Sequence, residues 1–236
     1  MNTWRSSIIQ KLLPFLTFVS MLSAIYAIFV YAPTEATMGD VQRIFYFHVS
    51  SAWISFLAIF SVFIFSVLFL INKTRELDIQ AAAAAEVGAI FATIVLVTGP
   101  LWAKPVWGIW WTWDPRLTSM FVLWLIYLGY LMLRRLIEAP EQRARLSAIF
   151  GILGAIDVPI VYMSNRWWRT QHPSPVMAGD QGSGLDPHMK VAFFISLGAF
   201  TLLYFYLWKV RSELENSKEA VEALQRQCEI QTRGNQ

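Results

Sequence analysis

Apolar and polar positions are segregated along the chain rather than mixed. Six runs, residues 12–32, 49–71, 81–101, 117–133, 146–163 and 191–208, hold almost no charge, and the charged residues gather in the segments between them. Each run is 17 to 23 residues long, enough for a helix to cross a hydrocarbon core of about 30 Å. A backbone in lipid must satisfy its own hydrogen bonds, which leaves helices and closed barrels. Barrel strands alternate apolar and polar residues over about ten positions, whereas these runs are apolar throughout. The pattern predicts an all-α polytopic membrane protein with six transmembrane helices. Residues 1–208 form one membrane domain, followed by a charged tail of helical character, 209–236. The first run exceeds the apolar core of a signal peptide and reads as an uncleaved span.

Composition agrees: 56% of residues are hydrophobic and 15% charged, against about 25% charged in a soluble domain. Charge then orients the spans. If they alternate, one side receives Arg5, Lys11, Lys73, Arg75, Arg134, Arg135, Arg143, Arg145, Lys209, Arg211, Lys218, Arg226 and Arg233, 13 of the 19 basic residues. Basic excess marks the cytoplasmic face, so both termini and the tail are expected on the inner side of the membrane. The net charge of +3 is spread over helix ends and forms no stripe for nucleic acid. The single cysteine, Cys228, allows no internal disulfide, and no Cys-x-x-Cys-His is present for covalent haem attachment. There is no Gly-x-x-x-x-Gly-Lys-Ser/Thr loop, so nucleotide energy must come from a partner. Rows of small residues, Ala81, Ala85 and Ala89 in the third run and Ser147, Gly151 and Ala155 in the fifth, predict close helix packing.

Candidate chemistry lies on the outer side. All three histidines, His48, His172 and His188, fall there. Neutral imidazole ligates iron, copper or zinc, and two histidines can hold haem iron from opposite faces; the plainer reading is a wetted interfacial histidine. The segment 102–113 packs five tryptophans into twelve residues. An aromatic belt accounts for single residues at helix ends, such as Trp102 or Trp208, but not for a clustered run. As a short surface helix, the segment would set Trp107, Trp110, Trp111 and Asp114 on one face, an apolar shelf for a planar macrocycle. Arg116, Arg43, Arg166 and Arg169 are candidates to pair with propionates. Asp114 has a structural alternative, capping local backbone. Asp157 stands inside the fifth run, where a carboxyl is costly and suggests function, although Pro159 two residues on frees backbone groups that it can satisfy.

The run Trp107-Gly-Ile-Trp110-Trp111-Thr-Trp113-Asp114-Pro-Arg116-Leu-Thr resembles the signature of the tryptophan-rich haem-handling family of cytochrome c biogenesis. Six spans, a histidine at the start of the second and Trp167-Trp168-x-x-x-His172 before the sixth are similar to its smallest branch, haem exporter protein C (CcmC), over nearly the whole chain. The resemblance implies a non-enzymatic protein of system I cytochrome c maturation that holds haem b at the periplasmic face. It implies His48 and His172 as the axial ligands of haem iron, with Trp107, Trp110, Trp111, Trp113, Asp114 and Arg116 beside the ring. It further implies delivery to a periplasmic haem chaperone of the CcmE type, beside the ATPase and membrane subunits of an ABC transporter and a small single-span subunit. His188 lies outside the pattern, and Pro173 stands where the family often has glutamine. Two other classes remain. A membrane electron-transfer cytochrome would need ligands in both leaflets, and no histidine lies in the inner half of a span. A proton-coupled transporter built on Asp157 often has repeated halves, and no repeat stands out.

Overall fold

The structure, a computed structural model, describes residues 3–172 and 185–234. The side chains of Arg5, Arg226 and Arg233, and all of Pro173, lie outside the described set. The described residues form seven α-helices: α1 (Thr3–Tyr26), α2 (Ile44–Asn72), α3 (Arg75–Trp107), α4 (Pro115–Leu136), α5 (Pro140–Ala155), α6 (Asp157–Trp167) and α7 (Pro187–Gly234). They contribute six segments long and apolar enough to cross a membrane. The protein is an all-α polytopic membrane protein, as the hydropathy predicts.

The helices outrun the apolar runs because lipid contact and helical hydrogen bonding end at different places. The second span runs from Asp40 to Asn72 and the third from Arg75 to Trp107, so each carries polar turns past the hydrocarbon. Their ends are set by local chemistry. Lys73 takes a left-handed conformation (φ 55°) and its N–H closes α2 on the Phe69 carbonyl at 2.7 Å, leaving a turn of two residues before α3. At the far end of α3, Gly108 is left-handed (φ 76°) and its N–H reaches the Lys104 carbonyl at 2.9 Å. Glycine adopts this conformation without the steric cost that other residues bear. Asp114 and Pro115 start α4 as N-cap and first helical residue, the arrangement that suits a missing N–H.

The fifth run is not one helix. It divides into α5 and α6 at Ile156, whose N–H turns back to the Leu153 carbonyl at 3.2 Å, a tighter winding. Pro159 has no N–H to continue the ladder from α5. One Asp157 carboxylate oxygen is buried beside this break with no hydrogen-bond partner.

Lipid offers no hydrophobic force between helices, so association depends on close approach and polar contacts. Helices α2 and α3 form the central hairpin, with α3 the most buried span. A Cβ added at Gly88 of α3 would come within 2.9 Å of the Ala58 Cβ on α2; only glycine permits that approach. Ala81, Ala85 and Ala89, one of the two small rows, are all buried. Interhelical hydrogen bonds run from Tyr204 to Ser61 at 2.9 Å and from Trp124 Nε1 to Thr93 at 2.8 Å, each worth about 0.6 kcal/mol on average in membranes.

The basic end is tied by charge. Asp78, 3% exposed, accepts from Arg134 Nη1 and Nη2 at 2.5 and 3.0 Å and pairs with Arg75. Arg211 of α7 joins Glu86 of α3 and Glu215, and Trp208 Nε1 donates to the Gln80 carbonyl at 3.1 Å. Trp208 therefore clasps α7 to α3. The tail beyond it continues α7 without a break to Gly234.

Candidate functional site

At the opposite end of the bundle, α2, α3, α4, α6 and the segments after α3 and α6 enclose a cavity of about 1050 Å³, counting the space at its open mouth. Its wall is mostly apolar. The polar side chains that reach it include His48 from α2, Trp102 and Trp107 from α3, Trp111, Arg116 from α4, and His172 after α6. The two histidines, 124 positions apart in the chain, thus face one space.

His48 is held from several sides. It is buried, its Nδ1 lies 2.9 Å from the Thr98 hydroxyl, and Trp102 meets its ring edge to face at 5.9 Å between centroids. His172 lies just past the end of α6, with its backbone N–H donating to the Thr170 hydroxyl at 3.1 Å. Arg116 is the arginine at the cavity, with Nη1 donating to the Val161 carbonyl of α6 at 3.4 Å. Arg43 is committed elsewhere. It donates to the Ile28 carbonyl, within the π-helical turn Ala27–Tyr31 that ends α1, and pairs with Asp40 at 3.0 Å. Arg166 lies over the Tyr162 ring at 5.4 Å, and both it and Arg169 are exposed and do not line the cavity.

The tryptophan segment differs from a surface helix. Gly108 terminates α3, and residues 109–114 are non-helical. The segment therefore presents no single helical face: Trp111 turns to the cavity, whereas Trp110 and Trp113 are 54% and 72% exposed. Trp113 remains within 5.6 Å of Trp111, edge to face, and Lys104 lies 5.9 Å over Trp110. Asp114 caps α4: its Oδ1 accepts from the N–H groups of Arg116 and Leu117 at 2.9 and 3.0 Å, and its Oδ2 from the Thr112 hydroxyl at 3.2 Å. It bears on the cavity by fixing the turn that presents Arg116.

Trp102 is a cavity residue and not a belt residue, and nothing in its position at the end of an apolar run distinguishes the two. The indole N–H groups of Trp102 and Trp111 are both buried without a partner. His188 sits apart, its ring tilted against Tyr31 at 5.4 Å between centroids, with its backbone N–H donating to the Asp186 carboxylate at 2.8 Å at the start of α7.

Among the described residues no three of His, Cys, Asp and Glu gather to hold a bare metal ion. Two imidazoles facing one apolar space suit a metal that brings its own equatorial ligands. One guanidinium and two unpartnered indole N–H groups add donors for an anionic edge.

Fold and cavity together define a six-span membrane protein with an imidazole- and indole-lined chamber at one end. Comparison with known proteins gives the family. The model for Heme exporter protein C (CcmC) matches residues 2–227, and the chain belongs to that family. It is 36% identical to Heme exporter protein C of Bradyrhizobium diazoefficiens over 194 residues, 82% of this chain and 74% of the relative. Against the protein of the same name from Haemophilus influenzae it is 32% identical over 211 residues, 89% and 86% of the two chains. The Escherichia coli K12 protein of that name is 34% identical over 175 residues, 74% and 70%.

Proposed function

We propose that this protein holds haem b at the periplasmic face of a bacterial inner membrane and delivers it to a periplasmic haem chaperone of the CcmE type for cytochrome c maturation. The observation that carries the reading is the meeting of His48 and His172 at one apolar cavity. Two imidazoles on opposite faces of a macrocycle fill both axial positions of its iron and leave no open site for oxygen, which suits a carrier. Trp107 and Trp111 supply flat apolar wall beside the ring, and Arg116 meets a propionate. Trp110 and Trp113, outside the wall, form the surface that a chaperone would meet on approach. The protein performs no catalytic turnover of its own. It works beside the ATPase and membrane subunits of an ABC transporter and a small single-span subunit.

The test is the optical spectrum of the purified protein. Haem should copurify in a low-spin state. His48→Ala and His172→Ala should each shift it towards high spin and weaken retention, with partial return of the low-spin spectrum on adding imidazole. His188→Ala should change neither. A spectral change in His188→Ala and none in His172→Ala would overturn the ligand assignment.

A further inference from the structure

We infer that Thr98 is a positioning residue for the iron ligand: its hydroxyl fixes the proton of His48 on Nδ1 and leaves Nε2 bare for the metal. The inference rests on the haem-holding reading above and goes on to say which nitrogen binds and what sets it. A threonine hydroxyl has one proton to give. Thr98 donates that proton to the Ile94 carbonyl one turn back, at 2.7 Å, with the Val95 carbonyl at 3.4 Å on the same side. Towards His48, at 2.9 Å, the oxygen can then only accept. The Nδ1 must carry the hydrogen, and the other ring nitrogen keeps its lone pair. A second partner of this kind is how proteins set the tautomer and the ring angle of a ligating histidine.

The surroundings hold that choice in place. Trp102 closes one side of the ring, and a Cβ at Gly99 would stand 3.4 Å from His48 Cε1, so the backbone of α3 lies close against the ring. Rotating the imidazole to exchange its nitrogens would break the Thr98 contact inside a tightly filled wall. The acceptor is also neutral. A carboxylate in this place would draw the Nδ1 proton and make the ligand a stronger donor to iron; a hydroxyl whose proton is already committed gives a milder one. That strength suits a haem that must be held and then released.

Thr98→Val keeps the branched shape and removes the acceptor, and Thr98→Ser keeps the acceptor. Three quantities are to be measured on the full-length protein purified with its haem: the rate of haem loss to a scavenging apoprotein, the spin state, and the midpoint potential. Thr98→Val should lose haem about 10- to 100-fold more readily, in line with second-layer partners at other metal sites. It should also raise the midpoint potential, because the imidazole becomes a weaker donor, while Thr98→Ser stays near the unmodified protein. The same Thr98→Val change in a His48→Ala background should have no further effect, since the threonine acts through the ring; an independent packing role would add its cost in both backgrounds. If Thr98→Val fails to fold, Thr98→Ala serves the same comparison. Retention and potential unchanged in Thr98→Val, or additive losses in the double variant, overturn the role of Thr98 alone. An unmodified protein without haem, or a low-spin spectrum that survives His48→Ala, overturns the reading on which it rests.

Discussion

Consider the carboxylate of Asp114, which the tryptophan-rich motif places beside the cargo and the structure places at the start of α4. Replacing it by alanine removes the acceptor for two backbone N–H groups, Arg116 at 2.9 Å and Leu117 at 3.0 Å. Loss of such a cap costs about 0.5–2 kcal/mol, and loss of negative charge at a helix N-terminus adds about 0.3–1 kcal/mol. Together these are about 0.8–3 kcal/mol, and every 1.4 kcal/mol is a factor of ten, so the first turn of α4 should open about 4- to 100-fold more often in Asp114→Ala. Arg116, in that turn, would lose its fixed position at the cavity. Asp114→Asn keeps an acceptor and loses only the charge, so it should retain most of the protection. Hydrogen exchange at the amides of residues 116–118 reads the cap, and haem loss to a scavenging apoprotein reads the site. Both should worsen together in Asp114→Ala and only slightly in Asp114→Asn. The reasoning fails if Asp114→Asn releases haem as fast as Asp114→Ala while those amides stay protected, because the carboxylate charge itself would then be touching the cargo.

Trp111→Ala should increase haem loss from the purified protein, whereas Trp113→Ala should leave retention nearly unchanged and slow transfer to the chaperone; equal retention in both would remove the distinction between wall and outer surface. Reporter fusions after Trp113 should behave as periplasmic, and fusions after Arg75, Arg143 and Lys218 as cytoplasmic, and a cytoplasmic signal at Trp113 would invert the topology. Asp78→Ala leaves the Arg134 guanidinium buried without its partner and should cost about 3–5 kcal/mol, read as a fall in melting temperature in detergent. Replacing Asp78 and Arg134 together by apolar residues of similar volume should cost much less.

The six spans were legible because lipid selects for apolar length, and apolar length is a property of contiguous sequence. The helix ends were less so. Polar turns continue α2 and α3 past the hydrocarbon, and the break at Ile156 depends on how Pro159 meets the preceding turn. The face of the tryptophan segment had a readable signal that the helical spacing of Trp107, Trp110 and Trp111 obscured: a glycine directly after the last apolar turn is a helix stop. His48, His172 and Arg116 declare themselves by side-chain chemistry and position near span ends. Thr98 does not. Within the run 81–101 it resembles any threonine bonding back to its own helix, and only the contact with a residue 50 positions away gives it another role. Trp102 was hidden for the opposite reason, since indoles at span ends serve lipid interfaces and binding walls alike.

The two-residue turn between α2 and α3 has a consequence for how this protein can be rebuilt. His48 lies 25 residues before Lys73 and Thr98 lies 25 residues after it, so the pair sits at matching heights on two tines of a fork joined at Lys73 and Thr74. Inserting one residue into either tine slides it by about 1.5 Å and turns it by about 100°, which carries the imidazole or the hydroxyl out of reach and breaks the Gly88–Ala58 contact between the tines as well. The connection between α4 and α5, residues 137–139, lies outside this hairpin. A chimera between relatives of this chain should therefore exchange residues 44–107 as one piece, with its length unaltered, and place its junctions in the other connections.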